Sequence, residues 1–209
     1  MGERITFSAV EMKHLGLATV AIVFAFSLVL HSDEVFGQGV YSPMFLVDSL
    51  VIVGSAFVLH EELGHKVAAQ RYGCWAEFRA WPTGVLLTVA MAVLSYGSFV
   101  FAAPGAVMIS NIKRERLGFS MTYLSERDIG KVGVAGSVVN LVMALIFLGI
   151  YIVFPWTTLL MAASVNAWLA VFNMLPFDPL DGAKVMRWNR AVWFAVIAIG
   201  FAIMYAVPM

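Results

Sequence analysis

The chain has 209 residues, 61% hydrophobic and 12% charged, with a formal net charge of zero, against roughly 45–50% apolar and about 25% charged in ordinary soluble domains. With a mean hydropathy of +0.88, this composition excludes a conventional soluble domain, and the balanced charge gives no basis for a nucleic-acid partner. The lone Cys74 excludes an internal disulfide and reads as a structural residue.

About 20 mostly apolar residues cross a bilayer, and the chain offers such segments in sequence. The first is Leu15 to His31, an uncleaved helix because no small-residue cleavage pattern follows it. The second, Phe45 to Tyr72, carries a His/Glu cluster in its later half. After a turn around Gly73, Gly84 to Val100 is apolar and runs directly into Phe101 to Ile109. Val132 to Phe154, Thr157 to Leu175 and Ala191 to Val207 complete the set.

Lys and Arg favour the cytoplasmic side of short loops. Arg4 and Lys13 therefore put the N-terminus inside, the acidic link from Ser32 to Pro43 outside, and the end of the second span, with Lys66, Arg71 and Arg79, inside again. The basic block Lys113, Arg114, Arg116, Arg127 and Lys131 also belongs inside. An even number of crossings must then separate it from Arg79, so Gly84 to Ile109 is expected to enter and leave by one face. Such non-helical backbone is tolerated at membrane depth where it lines a cavity; a true span over Gly84 to Val100 is the alternative. The expected fold is an all-α polytopic membrane protein of about 5–6 transmembrane helices with a re-entrant strand or hairpin. It forms a single domain over 1–209, with a core at 45–188 and flanking helices at 15–31 and 191–207.

Two runs carry the chemistry: His60-Glu61-Glu62-Leu63-Gly64-His65 and Asn173-Met-Leu-Pro-Phe-Asp-Pro-Leu-Asp181-Gly182. Ionisable groups at membrane depth are costly and mark functional sites by default. Zinc takes imidazole and carboxylate ligands, and a catalytic site keeps three of them plus a water, whose proton a nearby glutamate can accept. In an H-E-x-x-H helix the histidines are four apart on one face. Here they are five apart, which in an α-helix turns His65 about 140° from His60 but only about 40° from Glu61. Either Glu61 or Glu62 is an inserted residue absorbed by a π-bulge, with His60, His65 and Asp181 as ligands, or the helix is regular and the ligands are Glu61, His65 and Asp181, with Glu62 as base. A third reading is that the extra residue has cost the metal, leaving a silent scaffold that binds transmembrane helices. A transporter would also place ionisable groups near broken helices, but the internal repeats common in such folds are not evident.

On these residues the chain resembles the site-2 proteases, a family of intramembrane zinc metalloproteases. Asn173 to Gly182 matches the family's N-x-x-P-x-x-P-L-D-G pattern, Gly136-Ser-Val-Val-Asn140 resembles its G-x-x-x-N element, and Phe101 to Ile109 resembles the re-entrant strand beside which substrate is held. The resemblance implies a zinc endopeptidase with one Zn2+ per chain and Asp181 as third ligand. Glu61 or Glu62 would shuttle the proton, and Asn140 and Asn173 would bind the oxyanion or position substrate. The implied partners are a transmembrane protein substrate and the lipid bilayer. The expected location is the plasma membrane of a prokaryote, with the site toward the cytoplasm. Nothing resembles the PDZ or CBS domains of some relatives.

The remaining features read as structural. His14 and His31 sit at helix ends, Pro176 and Pro179 break the helix after Leu175, and Trp81, Trp156, Trp188 and Trp193 resemble interfacial anchors. Glu77 with Arg79 reads as solvated surface, and Gly133 and Gly136 let two helices approach closely.

Overall fold

The computed structural model describes residues 7–32, 35, 44–110, 112–115, 118–121 and 124–207. Arg4, Arg116 and most of the link from Ser32 to Pro43 lie outside these residues. The chain is mostly helical. Helix α1 spans Ala9–Leu30, opened by Ser8, whose hydroxyl accepts from the Glu11 N–H at 3.0 Å. It starts well before Leu15 because its polar first turns find partners inside the protein: Glu11 is fully buried, and His14 Nδ1 accepts from the Ala80 N–H at 3.1 Å.

A continuous helical run over 44–71, here α2, follows. It alternates α-helical Met44–Ser49, Ser55–Val58 and Val67–Arg71 with π-helical Leu50–Gly54 and Leu59–Lys66. Strand β1 (Trp75–Ala80) then pairs antiparallel with β2 (Gly105–Ser110), Trp75 facing Ser110 and Ala80 facing Gly105. Between the strands lies α3, Pro82–Leu94. A second ribbon joins β3 (Ile112–Glu115) to β4 (Gly118–Met121). Helices α4 (Glu126–Val153), α5 (Thr157–Asn173), α6 (Asp181–Trp188) and α7 (Arg190–Ala206) complete the chain. Ser125 starts α4 with a capping box, its side chain and that of Asp128 satisfying each other's backbone N–H groups.

Helices α1 and α4, of 22 and 28 residues, are long and apolar enough to cross a membrane. Each exposes large apolar side chains, Leu17 and Val20 on α1 and Val142, Leu145, Ile146 and Ile152 on α4. Helices α5 and α7 have 17 residues each, about 26 Å at 1.5 Å per residue.

The alternative of a single spanning helix over Gly84 to Val100 is not what the chain forms. Helix α3 ends at Leu94, and the chain reverses through Tyr96 (φ 52°) and Gly97 (φ 76°). Gly97 is required twice over, by its left-handed backbone and because a Cβ there would collide with the Leu28 carbonyl of α1. The chain then returns to the strand pair it left, where the Trp81 N–H donates to the Pro104 carbonyl at 2.9 Å. Helix α3 and the non-helical segment after it thus begin and end beside the same two strands.

Strand β1 amends the all-α expectation, as do its neighbours. Glu77, read as solvated surface, is buried at 6% exposure on β1 and paired with Arg79. Lys66, read as a cytoplasmic charge closing the second span, is fully buried. Trp193 is no simple anchor, since its indole N–H donates to the Met174 carbonyl at 2.7 Å, and Trp188 packs on Gly130; Trp81 and Trp156 are exposed. Cys74 is buried beside Ala69, Ala76 and Val132, and that burial, with Asp128 nearby, pushes its thiol pKa up, fitting an inert packing role.

The core divides around α5. One side of that helix packs against α1 and α2 through Ile22, Phe26, Val53, Phe57 and Leu169. Its other side meets α4, α6 and α7 through Leu141, Ala144, Ala167, Val185 and Val196. The Ser137 hydroxyl donates to the Ala170 carbonyl at 3.2 Å, tying α4 to α5.

Candidate metal centre

The π-helical turn Leu59–Lys66 decides between the two helix registers that the His/Glu run allows. A π-turn absorbs one extra residue, and it returns His60 and His65 to one side: their Nε2 atoms are 3.0 Å apart. A regular helix, with Glu61 taking the place of His60 beside His65, is not what the chain forms. Asp181, the first residue of α6, places Oδ2 3.0 Å from His65 Nε2. The donor atoms of His60, His65 and Asp181 all lie within 4.8 Å of one another.

This set fits a metal ion by its own chemistry. Two imidazole nitrogens and one carboxylate oxygen form a donor set usual for catalytic zinc. His65 Nδ1 lies 2.9 Å from the Val132 carbonyl, which can only accept, so Nδ1 is the donor there and Nε2 is the atom that would face a metal. The other carboxylate oxygen of Asp181 accepts from Lys184 Nζ at 2.7 Å. Lys184 was not singled out from sequence, although its place one turn after Asp181 is a signal for such a pair.

Gly136 of α4 forms the floor. A Cβ on Gly136 would lie 2.5 Å from His65 Nε2 and 2.7 Å from His60 Nε2, and one on Gly64 would meet the Gly136 backbone. The expected close helix approach therefore occurs at Gly136, against α2, and it seats both imidazoles; a Cβ on Gly133 would make only ordinary contacts. Gly136→Ala is expected to weaken zinc binding at least about tenfold through overpacking, with helix content unchanged, which zinc titration and circular dichroism would check.

Glu61 and Glu62 diverge. Glu61 lines a cavity of about 720 Å³ together with His65, Asp181, Lys184 and Asn173, and its Oε2 is buried without a hydrogen-bond partner among the described residues. Glu62 points the other way, 3.2 Å from Lys66 Nζ, and takes no part in the cavity wall. Asn173 sits on that wall, its Nδ2 donating to the Leu169 carbonyl at 3.0 Å. Asn140 does not, being fully buried, with neither side-chain polar atom partnered among the described residues. Asp178 is at the cavity mouth, 73% exposed and 3.8 Å from Arg187. Residues 105–109 of β2 form the facing wall; among the described residues β2 pairs only with β1, so its second edge is unpaired.

The five-residue spacing, the ground for a metal-free scaffold, is thus what a π-turn needs to bring two histidines together. No family model and no solved structure matches the chain. The chain is 35% identical over 195 residues to a protein of Methanocaldococcus jannaschii named "Putative zinc metalloprotease MJ0611", covering 91% of this chain and 90% of the relative. By that likeness the chain belongs to the zinc metalloprotease family of the archaeal protein.

Proposed function

We propose that the chain is an intramembrane zinc endopeptidase of the site-2 protease type, cleaving transmembrane segments of other membrane proteins. The observation that carries this reading is the convergence of the His60, His65 and Asp181 donor atoms, with His65, Asp181 and Glu61 lining a cavity beside a strand whose second edge pairs with nothing among the described residues, in a chain with long apolar helices. His60, His65 and Asp181 would hold the ion, which when bound supplies Lewis acidity to polarise a carbonyl and acidify water.

The protein's own residues do the rest. An intact helix keeps each carbonyl in its own hydrogen bonds, so a substrate must unwind, and the free edge of β2 offers replacement bonds by strand addition. Glu61 takes a proton from the attacking water and delivers it to the leaving amine. Asn173, on the cavity wall, positions the substrate backbone. The site works toward the cytoplasmic face of the membrane, where Lys184, Arg187 and Arg190 follow Asp181.

Elemental analysis of detergent-purified protein is expected to give about one zinc per chain. After reconstitution into liposomes, cleavage of a fluorogenic single-span peptide carrying a Gly/Pro break should be abolished by chelation and restored by zinc. No zinc after reconstitution would return the reading to a silent scaffold. Zinc with cleavage confined to soluble peptides would remove the intramembrane part alone.

A further inference from the structure

A cluster of charged side chains on the far side of the π-turn takes no part in the proposed reaction. Lys66, the last residue of that turn, is fully buried, and its Nζ donates to both carboxylate oxygens of Glu11 at 2.8 Å. Glu62 Oε2 lies 3.2 Å away, and the ring of Phe7 covers the ammonium at 3.8 Å. Glu11 belongs to α1, and its Oε1 also accepts the Phe78 N–H of β1 at 2.9 Å. Its place is therefore fixed by two elements other than α2.

Burying three charges is costly, and apolar side chains of similar volume commonly do as well for stability; the best-attested return for a buried ionic group is a fixed register. The sequence of α2 leaves its register open at this point, since a regular helix would swing His60 away and bring Glu61 beside His65. Upstream, α2 is held by Val53, Ala56 and Phe57 in the core. Converting the π-turn to a regular helix removes the surplus residue and rotates Lys66 by about 100° relative to that anchor. Lys66 would then leave Glu11, with the buried charges unpaired.

We infer that Glu11, Lys66 and Glu62 form a register lock that keeps the π-turn wound, so that His60 rather than Glu61 stands beside His65. These are positioning residues, and the inference rests on the metal reading proposed above for its zinc readout. The test compares the full-length protein with a charge-free lock, Glu11→Gln/Glu62→Gln/Lys66→Met, in which Gln retains an acceptor for the Phe78 N–H. Zinc affinity is measured by chelator competition for each, alone and with His60→Ala or Glu61→Gln added.

In the native background His60→Ala should cost about 100-fold or more and Glu61→Gln less than about threefold, taking the 10–100-fold scale of supporting residues as the lower mark for a ligand. With the lock removed, the His60→Ala penalty should fall below about tenfold and a Glu61→Gln penalty should appear, the sign of exchanged ligands. Equal His60→Ala penalties in the two backgrounds overturn the lock. Amide exchange over residues 59–66 of metal-free protein supplies a readout that needs no zinc: protection should drop about tenfold or more without the lock, and unchanged protection counts against it. If the triple variant does not fold, Glu11→Gln alone takes its place, with the same two outcomes. A native protein that binds no zinc would defeat the metal reading and leave the exchange result to decide the lock.

Discussion

Glu61→Gln is expected to slow peptide cleavage by about 10²–10⁴-fold while zinc stays bound, the range by which a positioned general base accelerates proton transfer. That loss corresponds to about 3–5 kcal/mol of transition-state stabilisation. Glu61 lines the cavity beside His65 and Asp181, with one carboxylate oxygen unpartnered among the described residues, and Gln keeps its size while removing its basicity. Glu62→Gln should behave differently, because Glu62 faces Lys66 rather than the cavity. Its effect should come through assembly of the site, so that saturating zinc restores most of the rate. Rate and zinc content measured together for the two variants decide the matter. Recovery of Glu61→Gln by added zinc, or a Glu62→Gln defect that zinc cannot lift, would exchange their roles.

What the sequence made legible divides along physical lines. The apolar segments were readable because hydropathy and length are properties of a run of residues, and α1, α4, α5 and α7 overlap the expected spans. The Asn173 to Gly182 run pointed to Asp181 through its resemblance to the site-2 protease pattern, and the fold brings that carboxylate to His60 and His65. Registers and partners were harder. Five-residue spacing permits either a π-turn or a glutamate substitution, and the choice depends on Gly136 and Glu11, residues from other elements that no local pattern joins to His60. Lys66 looked like a flanking cytoplasmic charge because charge at a span's end normally seeks water; its carboxylate partner lies 55 positions away. Strand β1 was hidden by Glu77 and Arg79, which read as a solvated pair until their strand is placed beside β2. Asn140 was grouped with substrate contacts by its motif, yet it lies buried in α4 and away from the cavity wall.

Asp181→Asn should lower zinc affinity by roughly 100-fold or more, exceeding the 10–100-fold usual for residues that merely support a ligand. The carboxylate lies 3.0 Å from His65 Nε2, so the amide would present a weaker, neutral donor to the ion. The change also strips Lys184 of the anion it contacts at 2.7 Å, leaving two positive centres, the ammonium and any bound metal, with less charge between them. Asp178→Asn is the control. That carboxylate is 73% exposed and only loosely paired with Arg187 at 3.8 Å, and surface ion pairs of this kind are worth about 0–1 kcal/mol, so zinc affinity should move by less than about threefold. Chelator competition on the two purified variants separates them. Equal losses would mean that the acidic run acts through its summed charge and that Asp181 is no ligand. A loss confined to Asp181→Asn would assign the third donor to the first residue of α6.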